Sequence, residues 1–431
     1  VPFIRAKNKS LLLKILIVGL NFHPELIGIG KYTGELATYL VGSGHQVRVI
    51  TAPPYYPHWR VQPGYSGSQY RWENWQGVGV IRCPLWVPGK PSGVKRVLHL
   101  LSFALSSFPV LLGQCYWKPD LVLCIAPSFF NAPFALFAAR LSGAKAWLHV
   151  QDFELDAAAS LGMLPAGNLI ANSAGWVERW LLRRFDRIST ISNRMLERLA
   201  QKGVASEKTF LFPNWVDTRL IFPLSASQIS LKKELRIPDD KIIVLYAGNM
   251  GRKQGLEIVI ETARRLQTQA KIYFVLCGDG AVQSGLVRDA EGLANVQFLP
   301  LQPLEKLNQL LNIADIHILP QRADAADLVM PSKLSGMLAS GRAVIATANL
   351  GTEVAEVVGQ LGVVVPPQDA LALTDAILEL ANDPDRMRSF GQKGVSWVVA
   401  NWSKEKALND FCEYMTKNIA QVSVKKFQGK K

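Results

Sequence analysis

The chain has 431 residues, 49% hydrophobic and 19% charged, enough apolar material for the cores of two or three domains and too much for a disordered chain. Lys and Arg total 48 against 34 Asp and Glu, a formal charge of +14 that points to an anionic partner. Five cysteines without C-x-x-C spacing and six histidines without an H-E-x-x-H pattern support neither a zinc site nor a disulfide framework.

The opening VPFIRAKNKSLLLKILIVGL puts basic residues ahead of an apolar run as a signal peptide does, but Lys14 interrupts it and no small-residue cleavage site follows. It reads as a first buried strand, 14–19, of a cytoplasmic, reduced protein. From there short apolar runs alternate with helical patterns, the mark of parallel sheets covered on both faces, so the fold class is α/β. Strands are expected at KILIVGL (14–20), QVRVITA (46–52), VGVIRCP (78–84), DLVLCIA (120–126), AKAWLHV (144–150) and RISTIS (187–192), with helices such as 31–43 and 134–142 between them. The series restarts at KIIVLYAG (241–248) and runs through 272–278, 296–300, 316–320, 343–347 and 363–366. Two doubly wound domains are therefore expected, 1–213 and 241–402, joined by a Pro-, Ser- and charge-rich hinge at 214–240. A helix at 403–420 is expected to cross back to the first domain, ahead of a basic tail at 421–431. A ligand would bind between the domains, outside the carboxyl ends of the strands.

The charge is uneven. Up to Asp217 there are 23 basic and 12 acidic residues and nine of the eleven tryptophans, whereas the rest carries 25 basic and 22 acidic residues. Four of those 25 are the tail lysines Lys425, Lys426, Lys430 and Lys431. The excess positive charge thus belongs to the first half and the tail.

Three loops have the character of anion cradles. After the first strand, Gly28 and Gly30 precede a helix whose free amides meet an anion or a sugar; Thr33 stands where a dinucleotide fingerprint needs its third glycine, and a plain tight turn is the alternative. After the strand at 241–248, Gly248, Gly251 and Gly255 enclose Arg252 and Lys253, two cations beside a helix start, as a diphosphate requires; a solvated basic turn is the alternative. Ser332 and Lys333 follow Pro331 at the start of a third helix. No G-x-x-x-x-G-K-[ST] occurs, which disfavours P-loop hydrolysis of ATP.

Residues 53–77, PPYYPHWRVQPGYSGSQYRWENWQG, are aromatic-rich among prolines and glycines and read as a long functional loop. Aromatic faces stack on sugars and also suit a lipid interface, which makes Tyr55, Tyr56 and Trp59 acceptor-side candidates, with packing over a β-ribbon as the alternative. Next, Lys90, Lys95 and Arg96 precede an apolar stretch at 97–113, seventeen residues against the roughly 20 of a spanning helix. It reads as an interfacial or re-entrant helix anchored to anionic headgroups, with ordinary burial as the alternative.

The ordered motifs FPNWVDTRLIFP, AGNMGRKQG, VLCGDG, PSKLSGMLASGRAVIAT, LGVVVPP, NDPDRMRSFGQKG and NWSKEKA resemble the nucleotide-sugar domain of retaining GT-B glycosyltransferases of family four. FHPELIGIGKYTGELATYL, TAPPYYPHW and HVQDFELD resemble the exopolysaccharide, colanic acid type subgroup. The resemblance implies two Rossmann-like domains facing across a cleft. It also implies donor contacts at Gly28, Gly30, Gly248, Asn249, Gly251, Arg252, Lys253, Gln254 and Gly278, main-chain amides at Ser332, Lys333 and Leu334, and Glu356. Asp152 matches the position of a catalytic His or Asp, with Glu154 and Asp156 as weaker alternatives. An exposed helix position remains the other reading of Glu356. His149, within an apolar strand, reads as a hydrogen-bonded core histidine, and Asn214 and Asp217 as turn caps of the hinge motif. The sequence departs from the family where its paired glutamates would fall, at Leu328 and Gly336, and has Asn249 and Gln254 where an arginine and a lysine are common.

The implied protein is a retaining hexosyltransferase. It would move a sugar from a nucleotide-diphosphate donor to a lipid-linked saccharide, without a metal or other cofactor, on the inner face of the plasma membrane. A UDP-sugar 2-epimerase and a non-catalytic scaffold of the same fold remain as alternatives. Nucleic acid is disfavoured as a partner, because no recognised binding module is present.

Overall fold

The computed structural model describes residues 12–25, 27–90, 93–127, 129–153, 169–323 and 330–428, with backbone only at 169–172 and 420–428. Glu154, Asp156, Leu328, Lys430, Lys431 and the side chains of Lys425 and Lys426 lie outside the described residues. The chain divides into two compact units, Val1–Pro213 with Leu408–Lys431, and Asn214–Ala407.

The first unit is built on an eight-stranded sheet. Its strands are β1 (Lys14–Gly19), β2 (Gln46–Thr51), β3 (Arg71–Trp75), β4 (Val78–Arg82), β5 (Leu121–Ala126), β6 (Lys145–Val150), β7 (Arg187–Thr190) and β8 (Thr209–Leu211), in the order β3-β4-β2-β1-β5-β6-β7-β8. All pairs are parallel except β3 with β4. β1 explains why the sequence reads as continuous apolar runs: Ile15, Leu16, Ile17 and Val18 are all buried, because helices cover both faces of a parallel sheet. The chain winds one way from β1 to β4 and then returns to the other side of β1, so the crevice falls at the carboxyl ends of β1 and β5. Residues 71–75, expected within an irregular loop, form β3; Gln76 and Gly77, both at positive φ, make the tight turn that pairs it antiparallel with β4.

The second unit carries β9 (Ile242–Ala247), β10 (Ile272–Cys277), β11 (Val296–Leu299), β12 (Ile316–Leu319), β13 (Ala343–Thr347) and β14 (Val363–Val365). The order β11-β10-β9-β12-β13-β14, parallel throughout, is the doubly wound arrangement of dinucleotide-binding domains, with its crevice at β9 and β12. Three of the covering helices begin at side-chain caps, where Thr352 accepts from the Ala355 amide, Asp369 from Ala372 and Asp383 from Arg386, each worth about 1 kcal/mol. The stretch 214–240, expected as a separate linker, belongs to this unit. Its Leu231 and Ile237 are buried with Ile243, Leu245 and Val275, and Arg342 donates to the Leu224 carbonyl at 2.8 Å. Asp217 closes a turn there as expected, accepting from the Arg219 amide at 3.1 Å.

Candidate active site

At the crevice of the second unit the loops after β9 and β10 are stitched backbone to backbone. Gly248 N donates to Cys277 O at 2.9 Å, Met250 N to Asp279 O at 2.8 Å and Val282 N to Met250 O at 3.1 Å. Gly278 lies so close that a Cβ on it would sit 1.9 Å from the Gly248 carbonyl oxygen, and its φ of +151° disfavours any side chain. Gly278 therefore fixes the turn by having no side chain. Gly248 also spends its amide inside the turn rather than on a ligand.

The cationic turn follows. Arg252–Gln254 form one tight turn, and Arg252 and Lys253 are exposed. Among the described residues the amides of Gly251, Arg252 and Lys253 have no backbone acceptor, so two side-chain charges and three N–H donors belong to one turn. Asn249 is exposed, while Gln254 turns its Oε1 inward, where it is buried without a donor. Gly255, at φ +61°, packs on Arg322, whose amide donates to the Lys253 carbonyl at 3.3 Å. Arg322, half-buried, was not singled out from sequence because it lies in the loop beyond β12 with no motif around it.

Ser332 precedes the helix Lys333–Ala339 without a capping side-chain bond and is exposed, but Leu334 is buried and its amide donates to the Pro331 carbonyl at 3.0 Å. The expected amide contact at Leu334 is therefore used by the turn itself. Lys333 leans back over β9, its Nζ 4.4 Å from the Tyr246 ring centroid and donating to Tyr246 Oη at 3.2 Å. Tyr246 in turn donates to the Asn249 carbonyl at 2.5 Å. Burial lowers the Lys333 pKa to about 8. Glu356 sits exposed in the first turn of the helix Glu353–Leu361.

In the first unit the loop after β1 is organised by a residue that sequence reading missed. Glu25 is buried, and its Oε1 accepts from both the Tyr55 and Tyr56 amides at 2.9 Å while Oε2 accepts from Asn21 Nδ2 at 2.8 Å. Burial raises its pKa, opposed by these hydrogen bonds and by Arg82. Gly30 must be glycine because a Cβ would come within 2.7 Å of the Glu25 side chain, and Gly28 takes φ +61°. A carboxylate between a proline and a glycine turn was the available signal. It reads as surface-exposed until the two tyrosine amides are placed above it.

Tyr55, expected as an exposed stacking face, is buried. Its ring packs edge-on at 4.8 Å from His99 and 5.6 Å from Trp59, so it supports the loop. Tyr56 is exposed and Trp59 half-buried, with Arg96 above the Trp59 ring at 5.9 Å. At the carboxyl end of β6, Asp152 is half-buried. His149 is the buried histidine expected, bonded to Ser189 Oγ at 2.9 Å, and desolvation pushes its pKa down to about 3.

Lys90, Lys95 and Arg96 are exposed around the start of the helix Gly93–Cys115, which at 23 residues exceeds the seventeen estimated from sequence. Among the described residues it is the one helix long and apolar enough to cross a membrane, a property core helices share, and a third of its most apolar window is buried. Its buried face mixes Phe103, Ala104 and Leu111 with His99, Ser107 and Gln114, which are bonded to the Trp86 carbonyl, Asn131 and Arg48, while its exposed face carries Val94, Val97, Leu98 and Leu105.

Two doubly wound α/β units with glycine turns at their strand ends, one turn carrying the exposed Arg252 and Lys253, have the GT-B fold. Residues 28–215 match the Glycosyl transferase 4-like domain and residues 227–397 match Glycosyl transferases group 1. The chain is 45% identical over 374 residues to the putative colanic acid biosynthesis glycosyl transferase WcaI of Escherichia coli, covering 85% of this chain and 91% of that one. It is 26% identical to the GDP-mannose-dependent alpha-(1-6)-phosphatidylinositol monomannoside mannosyltransferase of Mycobacterium tuberculosis, over 90% and 94% of the two chains. Among solved structures, the sucrose-phosphate synthase of Thermosynechococcus elongatus superposes with a TM-score of 0.73 at 18% identity, covering 95% of this chain and all of that one. Anabaena HepE in complex with UDP and glucose gives 0.68 at 15%, covering 94% and 100%; at such identities both show the fold. The chain belongs to the GT-B glycosyltransferases of family four.

Proposed function

We propose that this glycosyltransferase moves a sugar from a nucleoside-diphosphate donor to a lipid-linked saccharide with retention, in exopolysaccharide assembly at the cytoplasmic face of the membrane. The observation that carries the donor assignment is the turn after β9, to which Arg252, Lys253 and three amides with no backbone acceptor belong. In a retaining transfer the diphosphate leaves from the face the acceptor enters, so stabilising the leaving group and holding the acceptor do most of the work. Arg252 and Lys253 would take the charge that develops as the bond from the anomeric carbon to phosphate breaks. The acceptor hydroxyl forms the new bond, and its proton leaves with the diphosphate. Asp152 is the residue proposed to act at the sugar. With these cations supplying the charge, a divalent metal is not required.

Exopolysaccharide assembly rests on the similarity to WcaI. The membrane reading rests on the exposed Val94, Val97, Leu98 and Leu105 of the helix Gly93–Cys115 and the cations at its start, which suit an anionic, apolar interface.

The test is incubation of the full chain and membrane-extracted lipid-linked saccharides with UDP-, GDP- and dTDP-sugars, reading nucleotide release and product anomer. Transfer with retention from one donor is expected. Absence of transfer and of nucleotide release with every donor would refute the enzyme assignment, and conversion of free UDP-sugar without acceptor would favour an epimerase.

A further inference from the structure

Asp152 stands half-buried beyond the carboxyl end of β6, between Gln151 and Phe153, which are both buried. Each of these neighbours is fastened by polar groups deeper in the first unit. On one side, Trp147, His149 and Gln151 alternate onto one face and form a chain of hydrogen bonds. Trp147 Nε1 donates to Ser189 Oγ at 2.9 Å, His149 Nδ1 bonds the same oxygen at 2.9 Å, and the Gln151 side-chain amide meets His149 Nε2 at 3.1 Å. Desolvation keeps this imidazole neutral, so one ring nitrogen donates, the other accepts, and both are used. On the other side, Lys202 follows the helix Asn193–Gln201 and donates to Glu178 Oε2 at 2.5 Å, with its Nζ 5.2 Å from the centroid of the Phe153 ring. Glu178 and Lys202 are 4% and 7% exposed, so both charges are out of solvent. Such a pair adds little stability, because desolvation offsets most of its attraction and an apolar pair of similar volume serves as well. What it adds is direction, one ammonium set over one ring face.

We propose that His149 and the Glu178–Lys202 pair are positioning residues for Asp152, holding it by its two neighbours, His149 through Gln151 and the ion pair through Phe153. This rests on Asp152 acting at the sugar, as proposed above. None of the three touches substrate in this role. Where the acceptor enters on the face the diphosphate leaves, a carboxylate at the sugar has little room for error, and a misplacement of about 1 Å costs on the order of a hundredfold in rate.

Full-length wild type, the paired variant Glu178→Leu/Lys202→Met, His149→Phe and Asp152→Asn are assayed with UDP-, GDP- and dTDP-sugars and membrane-extracted lipid-linked saccharides, and each is melted. The paired variant keeps the volume and strands no charge, so its melting temperature should stay close to that of wild type. Its kcat, and that of His149→Phe, should fall about 10- to 100-fold with the donor KM unchanged, because the cationic turn after β9 is untouched. A merely structural role would lower the melting temperature and leave kcat of the folded protein alone. If His149→Phe does not fold, the paired variant decides. Wild-type kcat in either folded variant while Asp152→Asn is inactive, or a donor KM that rises as kcat falls, would overturn the positioning role and leave Asp152 in place. Wild-type kcat in Asp152→Asn would remove the reading of Asp152 and the positioning with it, and no transfer by wild type from any donor would remove the proposed function itself.

Discussion

Replacing Glu25 tests whether the acceptor-side loop is held to the β1 turn as the structure indicates. The carboxylate is 3% exposed and accepts from two backbone amides and one side-chain amide. Glu25→Ala leaves the Tyr55 and Tyr56 N–H groups buried without an acceptor, at about 1–3 kcal/mol each, and opens space against Gly30. Partial relaxation and the relief of a desolvated charge offset some of this, so the expected cost is about 2–4 kcal/mol. Glu25→Gln keeps one carbonyl oxygen for both amides, and Asn21 can present its own oxygen to the new NH2, so its cost should stay below about 1.5 kcal/mol. Hydrogen exchange of the peptide over 53–60 reads this directly. Protection of the Tyr55 and Tyr56 amides should fall roughly 30- to 1,000-fold in Glu25→Ala and little in Glu25→Gln. The pH dependence has a definite sign. Burial raises the Glu25 pKa above 4.5, so its protonated form is favoured by folding, a contribution complete below 4.5 and lost as pH rises through the folded value. Glutamine lacks this titration, so Glu25→Gln should gain on wild type as pH climbs from 4.5 toward neutrality. Wild-type protection in Glu25→Ala would refute the reasoning.

Gly278→Ala forces a Cβ to within 1.9 Å of the Gly248 carbonyl oxygen and should cost about 3 kcal/mol or more, with a lower melting temperature and loss of nucleotide binding; an unchanged melt would contradict the stitched turn. With its pKa lowered to about 8, Lys333 should lose its proton as pH rises through that value, a change that Lys333→Gln should remove from a pH series of melting temperatures. Over the same range the unliganded protein should become more stable, since the unfolded lysine holds its proton up to about 10.5 and the folded one does not. Cosedimentation with vesicles should depend on anionic lipid and weaken by about two orders of magnitude when Lys90, Lys95 and Arg96 are all replaced by Glu, at about 1 kcal/mol per basic residue. Leu105→Asp should weaken it further by charging the exposed apolar face. Binding that ignores lipid charge and all of these changes would refute the membrane reading.

The fold was legible in the chain because a parallel strand covered on both faces must be apolar on both. KILIVGL and KIIVLYAG therefore announce their sheets without any knowledge of neighbours. The cationic glycine turn was legible for a similar reason, since Gly248, Gly251, Arg252, Lys253 and Gly255 fall within eight residues and local chemistry is enough to make them a turn.

What the sequence left undecided depends on residues brought together from a distance. Glu25 becomes a buried keystone only when the tyrosine amides thirty residues on fold over it. Tyr55 changes from an exposed platform to a buried support once His99 stands beside it. Leu334 loses its free amide to Pro331. Lys333 folds back onto the ring and hydroxyl of Tyr246, which in sequence reads as one more core residue of β9. Composition and spacing determine which faces are apolar and which turns are tight. Desolvation and pairing, which decide whether a charge is available to a ligand, are properties of the assembled unit.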